Sequence, residues 1–212
     1  AGTSPKGRAI AAKHADAIFA IQPHARDAAA YYADIRERLS EIGRNPDSCK
    51  ILFGMQPIIG ESEAEAVEKQ EFHNELVPEE GGMAILSAHL NFDMSKLPPE
   101  TEMASRDEPE LQRMKPRYIK PEGGSFTASE IARRHGQSVR LPQFVGTVES
   151  IVDQMEAWVD EVGGDGFMLS PIYCPGAIEE FVDQVVPELQ RRGIYRYDYT
   201  GTTQRDHLLQ YN

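Results

Sequence analysis

Gly2, Thr3 and Ser4 stand directly before Pro5, one glycine and two hydroxyls ahead of a proline. Ser4-Pro5 reads as the cap and first position of a helix, because a serine oxygen takes up a free amide and proline has none to satisfy. The same run suits an anion: the free N–H groups and the dipole of a helix start point at negative charge, and a hydroxyl adds a contact. Lys6 and Arg8 would add positive charge. On the residues alone both readings stand, an ordinary cap and a phosphate site, and caps are far the commoner.

His89 sits in Ser87-Ala88-His89-Leu90-Asn91-Phe92-Asp93, within a stretch that shows no clear periodicity. A histidine can donate a hydrogen bond or shuttle a proton near neutral pH, and it can equally be a surface-loop residue. His14, His24, His73, His135 and His207 have no motif around them and read as structural or solvated. Phe19 and Gln22 fall at the end of an expected strand, where barrel sites are built; Phe19 is as consistent with core packing as with a ligand. Ser170 and Tyr173 are weaker candidates of the same kind. The two cysteines, Cys49 and Cys174, show neither CxxC nor Cys/His spacing, so no metal site is expected and two reduced thiols of a cytoplasmic protein are.

The elements that must position these residues follow a βα rhythm. Ser4-Pro5 opens a helix, residues 16–21 (DAIFAI) form a strand, and residues 26–42 a helix with Ala28, Tyr31, Tyr32, Ile35, Leu39 and Ile42 inward. Residues 51–59 (ILFGMQPII) make the next strand and residues 62–76 a helix. Val148 to Val162 shows apolar residues at helical spacing, with Thr147 as cap and Gly163-Gly164 as stop. Residues 165–171 (DGFMLSP) are a short buried strand. Ile178, Phe181, Val182, Val185 and Leu189 share a further helical face, with a break at Pro187. Near-continuous apolar strands alternating with helices argue for parallel βα units. Between residues 77 and 126 the pattern fails under prolines and glycine pairs, which predicts a lid, a binding excursion or disorder; Thr127 to Glu130 has the spacing of a capping box.

Composition narrows the class. The 212 residues hold 34 acidic and 22 basic side chains, a net charge of −12. That balance disfavours nucleic acid, which needs a basic face, and gives no attraction to anionic membranes. No apolar run approaches the ~20 residues that span a bilayer, and no export signal is visible. The chain opens on Ala1 in mid-pattern, as a processed or excised sequence would.

Four segments in order resemble one family: AGTSPKGR running into DAIFAIQ; GRNP before ILFGMQPIIG; FVGT before the Trp158 helix; and DGFMLSP with VVPELQRRG and GTTQRDHL. The order is similar to the bacterial-luciferase-like flavin monooxygenases that include nitrilotriacetate monooxygenase component A, long-chain alkane monooxygenase and dibenzothiophene-sulfone monooxygenase. Residues 19–36 look most like the sulfone enzyme. The resemblance covers essentially the whole chain and implies an α/β fold, the C-terminal portion of a (β/α)8 TIM barrel. About three parallel strands with helices would belong to it, with a long irregular insertion. The resulting divisions are 1–76, βα units with a phosphate loop at the start; 77–126, insertion or lid; 127–193, the last βα units; and 194–212, a tail.

The resemblance further implies reduced FMN, delivered by a separate flavin reductase, which reacts with O2 to a C4a-peroxide that oxygenates a small organic substrate of the sulfone or amine class. C–S or C–N cleavage follows. It places Gly2, Thr3 and Ser4 at the FMN phosphate and His89 beside flavin and substrate; exposed strand edges are expected to drive self-association, so a homo-oligomer is expected. Three strands cannot close an eight-stranded barrel, so the chain alone is expected to be inactive. Two alternatives remain open: a non-catalytic phosphate- or flavin-binding half-barrel or assembly module, and a deazaflavin-dependent oxidoreductase of the same fold.

Overall fold

The computed structural model describes residues 4–112, 114–120 and 122–209. The chain divides into two compact units, one from Ala1–Gln70 and Leu141–Asn212, the other from Glu71–Arg140. The first unit contains α1 (Pro5–His14), β1 (Ala17–Ala20), α2 (Ala25–Glu41), β2 (Lys50–Ile59) and the start of α3 (Glu63–Glu75). The second contains α4 (Glu79–Leu90), α5 (Pro109–Gln112) and α6 (Ala128–Ser138). The first then resumes with β3 (Gln143–Gly146), α7 (Val148–Val162), β4 (Gly166–Leu169), α8 (Gly176–Glu180), α9 (Val186–Arg191) and α10 (Gln204–Leu209).

Among the described residues the pairings of β1, β2, β3 and β4 are parallel, as the βα rhythm predicts. β2 is ten residues long and seats three neighbours: β1 with Phe19 opposite Leu52, β4 with Phe167 opposite Phe53, and β3 with Gln56 opposite Gln143. The described sheet thus has four strands rather than three. β3 escapes a periodicity reading because its four residues hold only Phe144 and Val145 as apolar side chains, too few to show alternation.

Alternation along β2 assigns the two faces. Ile51 and Phe53 join Ile18 and Ala20 in a cluster with Ala28, Tyr31, Ile35 and Leu39 of α2. Met55 and Ile59 join Phe144 in a second cluster with Ile151, Val152 and Met155 of α7. Odd-numbered residues of β2 therefore face the helices, and Lys50, Leu52, Gly54, Gln56 and Ile58 face the other way. Between α8 and α9 the chain runs through a π-helical turn, Phe181–Val185. Pro187 follows directly in the first turn of α9; helical backbone runs on through Val185 and Val186, so its missing N–H removes one bond from the ladder just after the π turn.

Asp165, just ahead of β4, fastens the strands at their N-terminal ends. Its Oδ2 accepts from the Ile51 N–H at 2.8 Å, and its Oδ1 lies 3.0 Å from Arg36 of α2 and 3.5 Å from Lys50. Arg36 also donates to the Tyr32 hydroxyl and lies over that ring.

The second unit corrects the expectation of an irregular stretch from 77 to 126. It does so over Glu79–Leu90 alone, which forms a twelve-residue helix, α4; the only helical elements among the described residues from there to 126 are short 3-10 turns and the four-residue α5. The unit has its own core of Leu86, Leu90, Met94, Met103, Leu111, Tyr118, Ile131 and their neighbours. Pro78 and Gly81-Gly82 read as breakers but act otherwise. Pro78 occupies the cap position of α4. Gly82 lies in van der Waals contact with α6, where a Cβ would overlap the Ala132 carbonyl. The unit also takes in α6, which the sequence pattern groups with the later βα units; its capping box between Thr127 and Glu130 is present.

Candidate functional site

Ser4 caps α1 in the extended conformation, and its Oγ accepts from the Gly7 N–H at 3.1 Å. The Arg8 N–H bonds to the Ser4 carbonyl at 2.9 Å and Pro5 has no N–H, which leaves the Lys6 amide as the first-turn donor not taken up by these bonds. Ser4 and Lys6 are exposed, and no acidic residue occupies the first turn. Gly2 and Thr3 lie outside the described residues. Arg8 does not join this group. Its guanidinium pairs with Asp34 at 3.0 Å and sits 4.8 Å from the centre of the Tyr31 ring, so its charge is committed to α2. Arg38 and Arg8 together hold the Asp34 carboxyl below the usual carboxylate range.

Phe19 and Gln22 take different places at the end of β1. Phe19 lies on the sheet face away from the helices, half-buried, with its ring against Gly54: a Cβ there would stand 2.9 Å from Phe19 Cε2 and overlap Leu141. Glycine at 54 is what lets that ring approach β2 so closely. Gln22 is 7 % exposed, just past the strand.

Gln56 and Gln143, which the sequence pattern does not single out, lie on the same face, and Gln70 of α3 bonds to them. Gln143 Nε2 donates to Gln56 Oε1 at 2.6 Å, and Gln70 Nε2 donates to Gln143 Oε1 at 2.7 Å. Gln56 is 5 % exposed and stands in the C-terminal half of β2, the end at which barrel sites form. The available signal was one polar residue inside the apolar run ILFGMQPII.

In the second unit, His89 occupies the last turn of α4 rather than a loop, and it has a partner. Its Nδ1 is 2.8 Å from Nε2 of His135 in α6, with ring planes at 85°. His135 is 5 % exposed. Burial first, then the charges of His89, Arg140 and Arg117, push its pKa down to about 4. His135 carried no sequence signal, since a second histidine 46 positions away is connected to the first only by the packing of α4 on α6.

Of the weaker candidates, Tyr173 is engaged by a side-chain partner, and Ser170 continues the backbone ladder beside β2. Tyr173 donates to Glu180 at 2.7 Å, which lifts its hydroxyl to about 12, and the Ser170 N–H bonds to the Met55 carbonyl. A cavity of about 540 Å³ opens near Lys50, Asp165, Gly166 and Leu189, at the N-terminal ends of β2 and β4. Among the described residues no cluster of three or more His, Cys, Asp or Glu side chains could hold a metal ion, and no helix is long and apolar enough to cross a membrane.

Comparison with known proteins places this arrangement. The model of the luciferase-like monooxygenase family matches residues 1–166. Dibenzothiophene-sulfone monooxygenase of Rhodococcus erythropolis is 38% identical over 216 residues, covering 98% of this chain and 47% of that protein. The crystal structure of DmoA from Hyphomicrobium sulfonivorans superposes with a TM-score of 0.86 at 28% identity, over 100% of this chain and 45% of that one. A riboflavin lyase solved with modified FMN and riboflavin gives 0.82 at 25% identity, over 99% and 46%. The chain spans about half the length of the relatives it matches. Its parallel βα architecture and the match over residues 1–166 together make the chain a member of the luciferase-like monooxygenase family.

Proposed function

We propose that this chain forms part of a two-component, flavin-dependent monooxygenase acting on a small organic substrate of the sulfone or amine class, with C–S or C–N cleavage. The observation that carries the reading is the family match over residues 1–166. The sulfone-acting relative supports the substrate class, and the FMN in the riboflavin lyase structure supports FMN as the flavin. The reduced flavin, supplied by a separate reductase, would provide two electrons, so that one atom of O2 enters the substrate and the other leaves as water.

The residues present fit a flavin phosphate. An exposed hydroxyl, an exposed lysine and a first turn without acidic residues suit a dianion at the start of α1. Ser4, with Gly2 and Thr3 before it, would bind the phosphate; Phe19 and Gln22 would line the pocket. His89 is assigned to the reacting end by family resemblance alone, as the residue that holds and moves a proton at its outer nitrogen. Residues 77–126 would act as a lid, and the protein would assemble as a homo-oligomer.

The test supplies the intact protein with FMN, a flavin reductase, NADH and dibenzothiophene sulfone or nitrilotriacetate, and counts product against hydrogen peroxide. Product formed in step with reduced flavin supports the proposal. Hydrogen peroxide alone, with every sulfone and amine tried, contradicts it.

A further inference from the structure

We propose that His135 is a positioning residue: its Nε2 accepts a hydrogen bond from His89 Nδ1–H and fixes the tautomer in which His89 Nε2 takes up and releases a proton. The inference rests on the reading that His89 works at the flavin.

Two ring nitrogens 2.8 Å apart must share one hydrogen, because two lone pairs repel and two N–H groups collide. What remains is which ring supplies it. His135 is 5 % exposed on α6, and the groups facing it are His89 from α4, Arg117 from the 3-10 turn Lys115–Tyr118, and Arg140 just past α6. Burial and those neighbouring cations push its pKa down to about 4, so a proton reaching the pair near neutral pH does not stay on His135. His89 is the exposed ring. When His89 is protonated, its Nδ1–H must donate and His135 Nε2 must accept. If His135 keeps the same tautomer when that charge is gone, only the outer Nε2 of His89 changes protonation. The inner bond then orients the ring throughout, the role that a buried acceptor plays behind a catalytic histidine elsewhere.

The packing of α4 on α6 maintains this distance. Gly82 lies against the Ala132 carbonyl, and a Cβ at Gly136 would stand 3.1 Å from the Gly82 Cα. Any larger residue at either position would move His89 relative to His135.

The decisive experiment is nitrogen NMR of the intact protein labelled at histidine, comparing the parent with His135→Phe and His135→Gln. Free histidine side chains favour the Nε2–H tautomer. The parent is expected to show neutral His89 as Nδ1–H, His135→Phe to return it to Nε2–H, and His135→Gln, whose Oε1 is an acceptor, to restore Nδ1–H. Alongside this, kcat should fall by roughly 10²-fold in His135→Phe with substrate KM unchanged, and recover in His135→Gln. Should the phenylalanine variant fail to fold, His135→Asn, whose shorter amide does not reach His89, takes its place. Nε2–H in the parent, or one tautomer in all the variants, overturns the pairing. The predicted tautomer change with unaltered kcat overturns instead the assignment of His89 to the flavin chemistry, and the catalytic consequence of the pair with it.

Discussion

Gly82 and Ala132 meet so closely that the backbones of α4 and α6 touch: a Cβ on residue 82 would overlap the Ala132 carbonyl oxygen. Gly82→Ala should therefore push the helices apart and destabilise the protein by about 1–3 kcal/mol. Gly81→Ala, whose Cβ would meet only the Pro78 ring at 3.2 Å, should change stability by less than ~1 kcal/mol. Urea unfolding of both variants checks the contrast.

Asp165 is the acceptor for Arg36, Lys50 and the Ile51 amide, and the three charged side chains are at most 15% exposed. Asp165→Ala leaves two enclosed cations without this carboxylate, and such losses typically cost about 3–5 kcal/mol. We expect a markedly lower urea midpoint, whereas Asp47→Ala, which removes an exposed partner of Arg36, should barely move it.

His135 should make stability depend on pH in a definite direction. Its folded pKa, about 4, lies below the ordinary value of 6.5, so between those two the unfolded chain binds the extra proton. The neutral ring contributes fully above pH 6.5, and the contribution drains away as pH falls toward 4. From pH 7 to pH 5 the loss amounts to about 2 kcal/mol. His135→Gln should lose correspondingly less over that interval in paired urea titrations.

Ser4 separates capping from phosphate binding. Serine and aspartate both cap helices well, but a carboxylate repels a phosphate. Ser4→Asp is expected to keep the melting temperature and lose FMN affinity. Ser4→Ala should lose about 1.5–3 kcal/mol of FMN binding. Parent-like FMN affinity in Ser4→Asp would leave Ser4 as a cap and nothing more.

Much of the fold was legible because its signals are local. The stripe Ile151, Val152, Met155, Val162, the Thr147 cap and the Gly163 stop give α7 to the residue, and the capping box gives the start of α6. What stayed hidden depends on neighbours that the sequence does not name. β3 is short and shows as a strand only against β2. In α4, Gly82 looks like a breaker until α6 is beside it. Arg8 looks available to an anion until Asp34 and Tyr31 claim it. At the candidate site, Ser4 and His89 had motif context, whereas His135 and the Gln70–Gln143–Gln56 chain arise from tertiary contact.

We propose that this chain belongs to an enzyme that inserts one atom of O2 into its substrate. The direct measurement is isotopic: the intact protein, reduced FMN and dibenzothiophene sulfone or nitrilotriacetate under 18O2, with the primary oxygenated product analysed by mass spectrometry. One 18O atom per product molecule is expected at early time, and unlabelled product when the label is in the water instead. Product whose new oxygen comes from water, or carries no label under 18O2, would contradict the proposal.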